Sequence, residues 1–517
     1  MTPAMRCALI LPGLLASCSL YAQQAAPAPA TPAPYTLKIS SRRVVLDVIV
    51  LDKAGKPVRG LDSSQFTVLE NNVPQTLRSF EESTPAAAGV DAKTINNTED
   101  LRKFGGTRPV DIIVFDELNS KFEDMAYSRN MVEKFINRQP EKLPVPTQLL
   151  AAGDTHFAVL QDYTQNRKDL LDALNKHMPQ YPWQMMRDNS SGEGALERMA
   201  QTLGVLSQIA DASSGTPGRK NVIWIGTGYP GVDTTTMDED DQAKMLPAIK
   251  TVTSRMMASR VTLYVVDPTG VHGVQQDAGA DPDGNPDASA PSSLLGPFNG
   301  PLDFTSFASA TGGEVFSERN DLDGAIDEGL HEAANYYTLS YAPTDNSDID
   351  TKFRKIRIVM KDKSLHAVTR NGYFPGPAPI EAAPQPKQKS SDQLKWDMAS
   401  AAQTNLVYNG LDLRPQATPQ GYTLAVVARD LTWTDAADGS RTADVTVMAI
   451  AYDAKGKQLR HESQELHEKI GSKDNIEQGQ RAGFSFAFHA PAKTARIRFV
   501  MRDSGNGKMG SSEVHVE

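Results

Sequence analysis

An aspartate stands directly after an apolar, β-prone run and opens a short polar loop. The run is 110–115, and the loop reads Asp116-Glu117-Leu118-Asn119-Ser120. Carboxylate and hydroxyl oxygens are the ligands that Mg²⁺ and Ca²⁺ prefer in proteins. Asp116 and Ser120 therefore give this loop one carboxylate and one hydroxyl that could contact a cation.

Asp116 also has an interpretation that needs no metal. An Asp placed before a helix accepts hydrogen bonds from the N–H groups of the first turn, and its charge complements the helix dipole. One carboxylate with hydroxyls is a small ligand set for a divalent cation in water. We therefore favour the capping role and expect weak or no Mg²⁺ binding.

A second oxygen-rich segment lies at 281–287 and reads Asp-Pro-Asp-Gly-Asn-Pro-Asp. Its alternating side-chain oxygens are faintly similar to a calcium loop, but Ser292 stands at the twelfth position, where such a loop has Glu. The composition favours a polar surface loop. No resident cofactor is predicted, and a weakly bound Mg²⁺ or Ca²⁺ is the alternative.

The usual signatures of catalysis are missing from the sequence. There is no Gly-x-Ser-x-Gly turn, and the run at 331–335 stops short of the zinc pattern His-Glu-x-x-His. The glycines at 226–231 lack the Lys of a phosphate-binding loop. We therefore expect a protein that is not an enzyme. An envelope hydrolase with a site between domains and a structural envelope component remain the alternatives.

Residues 1–22 are typical of a secretory signal. Arg6 precedes an uncharged, largely apolar run, and small residues follow it. Cleavage after Ala22 is one possibility. The other is cleavage before Cys18, because Leu-Ala-Ser-Cys at 15–18 resembles a bacterial lipobox and would make Cys18 a lipidation site. The protein is expected to be exported and to be periplasmic, anchored to the outer membrane or extracellular.

Composition narrows the classes of partner. The only two cysteines are Cys7 and Cys18, so the body after the signal is expected to fold without disulfides. The formal net charge is −10, and Lys and Arg form no cluster that would bind phosphates, which argues against nucleic acid. No later stretch is apolar enough to cross a membrane. The expected partner is an unknown protein or an envelope component.

Proline-rich stretches and changes of periodicity divide the chain into units. The predicted units are an Ala/Pro-rich linker at 23–35, a small β module at 36–82, an α/β domain with a β extension at 108–374, a Pro-rich linker at 375–392 and a β-sandwich at 393–517.

The middle unit alternates apolar runs with segments of helical spacing. The runs lie at 110–115, 157–160, 221–225 and 261–266, and helical patterns separate them. Continuous apolar strands between helices are typical of a parallel sheet covered on both faces. The expected fold class is therefore α/β, with a doubly wound, mostly parallel sheet of Rossmann-type topology between the two β units.

Several of these segments resemble von Willebrand factor type A domains. They are Asp116 at the end of the opening strand, the strand and exit at 265–270, and the run Phe-Ala-Ser-Ala-Thr-Gly-Gly at 307–313. With the runs at 44–80 and 336–374, residues 36–374 are similar to the acidobacterial von Willebrand factor A-related family of exported proteins. The resemblance implies the α/β fold of such a domain, and because no catalytic motif accompanies it we expect an exported protein-interaction or adhesion-type protein.

The same resemblance implies a metal site at the top of the sheet, with an Asp-x-Ser-x-Ser loop, a Thr and a second Asp. Here Leu118 replaces the first Ser, and Thr227 stands where the second Asp is expected. Asp116 and Ser120 match the first loop of that site and Thr164 is the expected Thr, so the resemblance implies these three as the ligands of a degenerate metal site.

The expected binding edge is the C-terminal end of the sheet, where ligands of open α/β sheets lie. We expect the loops 116–122, 161–166 and 226–236 to converge there. The aromatic residues and proline in these loops are candidate partner contacts, and packing against the adjacent β units is the alternative. They are Phe122, Tyr163, Tyr229 and Pro230.

Overall fold

The computed structural model describes residues 43–83, 93–153, 157–179, 193–233, 239–270, 301–344, 353–375, 390–436, 438–471 and 476–516. The predicted signal with Cys18, the predicted linker at 23–35, most of the predicted linker at 375–392 and the segment 281–287 lie outside these residues. The chain from Arg42 onward clusters as one compact unit. No helix in the described ranges combines the length and the apolar character that a membrane span requires.

Eight α-helices form in the described residues. They are α1 Thr98–Phe104, α2 Phe122–Arg138, α3 Arg167–Lys176, α4 Glu193–Ala212, α5 Glu239–Ala258, α6 Thr305–Thr311, α7 Leu322–Ala333 and α8 Ser390–Gln403.

The strands of the first three quarters of the chain are numbered β1 to β16. They are β1 Val44–Leu51, β2 Phe66–Glu70, β3 Val73–Gln75, β4 Leu77–Ser83, β5 Val110–Asp116, β6 Lys142–Ala152, β7 Phe157–Asn166, β8 Lys220–Ile225, β9 Val232–Asp233, β10 Val261–Val266, β11 Pro301–Leu302, β12 Val315–Phe316, β13 Tyr336–Tyr341, β14 Arg354–Met360, β15 His366–Val368 and β16 Gly372–Tyr373.

The remaining strands belong to the C-terminal part. They are β17 Arg414–Thr418, β18 Gly421–Val427, β19 Thr434–Asp435, β20 Arg441–Tyr452, β21 Gln458–Ile470, β22 Arg481–Phe486, β23 Arg496–Asp503 and β24 Met509–His515.

A six-stranded sheet lies at the centre of the α/β part. Its order is β12-β10-β8-β5-β6-β7, and all neighbours are parallel except β6 and β7, which are antiparallel. The mixed α/β fold and the mostly parallel sheet predicted from the sequence are therefore confirmed.

Alternate residues of the inner strands pack on opposite faces of this sheet. Ile112 and Val114 contribute to a core with helices α4, α5 and α6. Ile113 and Phe115 contribute to a second core with helices α2, α3 and α7. Because both faces are covered, the strands are apolar at nearly every position, which is the pattern the sequence shows.

The strand β6 is absent from the sequence-based prediction, and its presence reverses the direction of β7. Two prolines, Pro144 and Pro146, lie in its first half, and a proline has no N–H to donate to a ladder. The pairing of β6 with β5 begins only after them, at Thr147. The prolines therefore hide this strand in the sequence, although the half that pairs with β5 is regular.

Strands from the two ends of the α/β part form two four-stranded sheets. Their orders are β15-β1-β13-β4 and β16-β14-β2-β3. Val48, Phe66, Leu339 and Ile356 share one apolar core between them. The segments 44–83 and 336–373, although distant in the chain, therefore fold together.

The C-terminal strands form a three-stranded sheet, β17-β18-β22, and a five-stranded sheet built on β20 and β23. Leu424 and Phe484 from the first sheet share a core with Val447 and Phe499 from the second. The chain just before these sheets covers the β7 edge of the central sheet, because the Asn405 side-chain oxygen accepts a hydrogen bond from Val159 N at 3.0 Å.

Candidate functional site

Asp116 lies at the carboxyl end of β5, and both of its carboxylate oxygens are occupied by protein donors. Oδ1 accepts hydrogen bonds from Leu118 N at 3.2 Å, Asn119 N at 2.9 Å and Asn119 Nδ2 at 3.1 Å. Oδ2 accepts from Asn119 Nδ2 at 3.1 Å, Trp224 Nε1 at 3.0 Å and Gly228 N at 3.1 Å. The carboxylate thus joins its own loop to β8 and to the loop after β8.

The capping interpretation needs one correction. Helix α2 begins at Phe122, its N-cap is Lys121, and no side chain caps its first turn. The backbone donors to Asp116 in its own loop come from Leu118 and Asn119, which precede that helix. Asp116 therefore fixes the β5–α2 loop rather than the helix end.

Burial governs the electrostatics of this carboxyl. Asp116 is 1 % exposed. Burial raises the pKa of Asp116 above its ordinary value, and the hydrogen bonds from Trp224, Asn119 and Gly228 offset part of that rise. The five nitrogen donors supply the partial positive charge that water would otherwise provide.

The residues around Asp116 do not fit a divalent cation. A carboxylate has about four lone-pair sites, and the protein donors to Asp116 already engage them. Leu118 is fully buried and apolar, and the exposed Thr227 donates its hydroxyl to Gly228 O. Within the described ranges no three His, Cys, Asp or Glu side chains gather as a metal-binding group.

Thr164 lies at the opposite edge of the sheet from Asp116, contrary to its predicted role. Asp111 pairs with Thr147, which pairs with Thr164, whereas Asp116 pairs with Ala152. Five residues along β5 correspond to about 16 Å. The Thr164 hydroxyl instead donates to Asp169 Oδ2 at 2.9 Å, at the start of α3. The antiparallel direction of β7 is the cause.

The candidate contact residues divide between the surface and the core. Tyr163 is also on β7 and is buried against α4, so it does not lie at the carboxyl edge. Tyr229 is 3 % exposed, stacks edge-on against Phe304 at 5.7 Å between ring centroids, and donates to Asp303 O at 3.2 Å. Pro230 is half-buried. Phe122 is 59 % exposed and stays a candidate contact.

A half-buried acid–imidazole pair, which the sequence does not predict, lies beside the same loop. His177 Nε2 contacts Glu117 Oε1, and Arg129 Nη1 donates to His177 O. Glu117 is 2 % exposed. The pair forms because α3 runs back from the opposite edge of the sheet and ends next to the β5–α2 loop. No local motif signals a contact that depends on the direction of β7.

A small cavity lies between this pair and β5. Its volume is about 10 Å³, which is room for about one water molecule. Glu117, Ser120, Arg129 and His177 contribute to its lining. The Ser120 hydroxyl is 4 % exposed and has no hydrogen-bond partner in the described part of the chain. Of the three predicted ligands, Asp116 and Ser120 are therefore brought together and Thr164 is not.

Sequence comparison provides no relative for this chain. No protein-family model matches the sequence, and no curated protein matches it.

Solved structures are similar to only part of this chain, and the TM-scores are low. Proximal thread matrix protein 1 from the mussel byssus is 12% identical, with a TM-score of 0.26, over 48% of this chain and 51% of that chain. The SpRpn10 VWA domain is 15% identical, with a TM-score of 0.19, over 31% of this chain and 75% of that chain. The chain thus spans about half the length of the mussel protein, and similarities of this extent assign no function.

Proposed function

We propose that this protein is an exported, non-catalytic interaction or adhesion protein. In this proposal the α/β part is a von Willebrand A-like domain with a degenerate metal site, and its partner, a protein or an envelope component, binds at the carboxyl edge of the central sheet. The observation that carries the proposal is a pair of exposed apolar side chains at this edge. Phe122 is 59 % exposed and Met178 is 80 % exposed.

These two are the most exposed large apolar side chains in the described residues. Aromatic residues and Met are enriched at protein interfaces, where they fill pockets of the partner. Met178 also adapts to irregular surfaces because its side chain is unbranched and flexible. A partner that covers both side chains gains the free energy of burying their apolar area.

The neighbouring buried contacts support the placement of both side chains at one edge. Met178 directly follows His177, whose ring contacts Glu117 in the loop that leads to Phe122. Arg129 holds the same segment through the His177 carbonyl. Phe122 and Met178 therefore extend from two segments that these contacts hold in place. Little conformational entropy is then lost when a partner binds.

The strand order supports a von Willebrand A-like domain as the scaffold. The antiparallel strand lies at the edge of an otherwise parallel sheet, and the buried Asp116 ends an inner strand. The internal hydrogen bonds of Asp116 favour partner recognition by apolar contact rather than through a shared metal ion.

Replacement of both Phe122 and Met178 by serine is expected to abolish partner capture without loss of stability. The full-length chain, purified and immobilised, is incubated with an envelope fraction, and bound proteins and polymers are identified. The matched control is Val73→Ser, since Val73 is 51 % exposed but lies on a different sheet. Capture that the double variant Phe122→Ser, Met178→Ser retains in full contradicts the proposed surface.

The enzyme alternative is tested with the same preparation. The purified protein is assayed for turnover of envelope polymers. Turnover that persists through purification and is lost on one point substitution would contradict the non-catalytic role and support the hydrolase alternative.

Export is tested at the N-terminus of the chain made in a bacterial host. Mass spectrometry of the processed protein is expected to give either a chain that begins at Gln23 or one that begins at a lipidated Cys18. A purified chain that still begins at Met1 contradicts export through this segment.

A further inference from the structure

A half-buried ionic cluster joins the α/β part to the C-terminal sheets. We call it the joint cluster, and it contains Asp211 on α4, Arg255 on α5, Asp397 on α8, Tyr408 in the segment after α8 and Arg502 on β23. Five elements from both sides of the contact therefore meet at one group of charges.

Two carboxylates share one guanidinium in the joint cluster. Arg255 Nη1 lies 2.7 Å from Asp211 Oδ2, and Arg255 Nη2 lies 2.9 Å from Asp397 Oδ2. Arg502 Nε lies 3.4 Å from Asp397 Oδ2. Arg255 Nη1 also donates to Ser207 Oγ at 2.7 Å. Asp397 thus contacts both guanidiniums, whereas the ion pair of Asp211 is with Arg255.

The surroundings of the joint cluster exclude most of the water. The Asp211 side chain is 18% exposed and the Asp397 side chain is 6% exposed. Tyr408 is 2 % exposed, and its hydroxyl has no hydrogen-bond partner among the residues described. Taking charged groups out of water is costly, so the charge state of the least compensated carboxylate affects how tightly the two parts hold together.

Asp211 is that carboxylate. Burial raises the pKa of Asp211 to about 7, Arg255 and Arg502 act to lower it, and Asp397 raises it further. Tyr408 faces the same charges, and burial raises the pKa of its phenol well above the ordinary value. Arg498 lies near Tyr408 and partly counters that rise.

We propose that the joint cluster is a pH-sensitive attachment of the C-terminal sheets, and that the attachment tightens on acidification. The direction follows from proton linkage. When the joint opens, Asp211 returns to water and to an ordinary carboxyl pKa of about 4. Between about pH 4 and pH 7 the closed joint therefore binds one proton more than the open joint, and opening becomes up to about tenfold rarer for each pH unit of acidification. Above about pH 7 the dependence disappears.

The measurement has to be local, because other buried groups titrate in the same range. Burial also raises the pKa of Asp111 to about 7 and lowers the pKa of Lys220 to about 7. Hydrogen exchange of the full chain, followed by mass spectrometry from pH 5 to pH 8 and corrected for the intrinsic rate, isolates the joint. The reporting amides are Asn409, bonded to Ala212 O, and Gly215, bonded to Asn409 Oδ1, because both hydrogen bonds join the two parts.

In the wild type, protection of these amides is expected to rise as the pH falls from 7 to 5. The variant Asp211→Asn removes the titrating group and is expected to show no such rise. The matched control is Asp323→Asn, because Asp323 is a carboxylate that pairs with Lys134 and Arg138 elsewhere. The control is expected to keep the wild-type slope at the joint.

A wild-type profile that is flat between pH 7 and pH 5 overturns the proposal, and so does an Asp211→Asn variant that keeps the slope. If Asp211→Asn does not fold, Asp211→Ser provides the same comparison with a smaller side chain. The wild-type profile decides on its own if neither variant folds.

Discussion

Replacement of Asp116 by alanine is expected to lower the free energy of unfolding by about 3–5 kcal/mol. The substitution leaves the N–H groups of Trp224 and Gly228 and those of the β5–α2 loop without their acceptor. Each unsatisfied buried donor costs about 1–3 kcal/mol. Asp116 joins two loops at the carboxyl edge, so the effect is on the fold and not on metal affinity.

Equilibrium unfolding in denaturant measures this loss. The matched control is Asp453→Ala, since Asp453 also accepts two backbone N–H groups, from Lys455 and Lys457, but lies in an exposed turn. Its expected cost is about 1 kcal/mol or less. Calorimetry of the wild type with MgCl₂ is expected to give no tight binding. Tight Mg²⁺ binding that disappears in Asp116→Ala would establish a metal site and refute the internal role.

The residues of the inner strands were predictable from the sequence, since burial on both faces requires apolar side chains throughout. The runs at 110–115, 221–225 and 261–266 are the inner strands β5, β8 and β10. The carboxyl end of β5 therefore also follows from the sequence, and with it the position of Asp116 at the edge.

The pairing of β6 with its neighbours, and the direction of β7 that follows from it, could not be predicted from the sequence. Two prolines hide β6 in the sequence, and without β6 the apolar run at 157–160 is predicted to be a parallel strand. This single omission placed Thr164 and Tyr163 at the wrong edge, and it hid the contact between Glu117 and His177. The error was thus one of strand direction, which residue types alone do not encode.

The glycine after β8 shows the same dependence on tertiary contact. Gly226 has a φ of 149°, a conformation that side-chain-bearing residues rarely adopt. A Cβ on Gly226 would lie 2.3 Å from Asp116 Cβ and 2.9 Å from Ser120 Oγ. The sequence predicts only a loop at this position, whereas the structure shows that the chain leaves β8 directly against the Asp116 side chain.

Replacement of Gly226 by alanine is expected to lower the free energy of unfolding by roughly 3 kcal/mol or more, because overpacking costs about 1–3 kcal/mol and a strained backbone adds a similar amount. The matched control in the same loop is Gly231→Ala, where the nearest atom to an added Cβ is Asp303 Cβ at 4.0 Å. The control is expected to be near neutral, and unfolding in denaturant measures both. Equal stabilities of the two variants would contradict the close packing of β8 on Asp116. A large loss of unfolding free energy in Gly226→Ala alone would show that the Asp116 loop packs closely only because residue 226 has no side chain. The stability of the carboxyl edge would then depend on this glycine as much as on the Asp116 carboxylate.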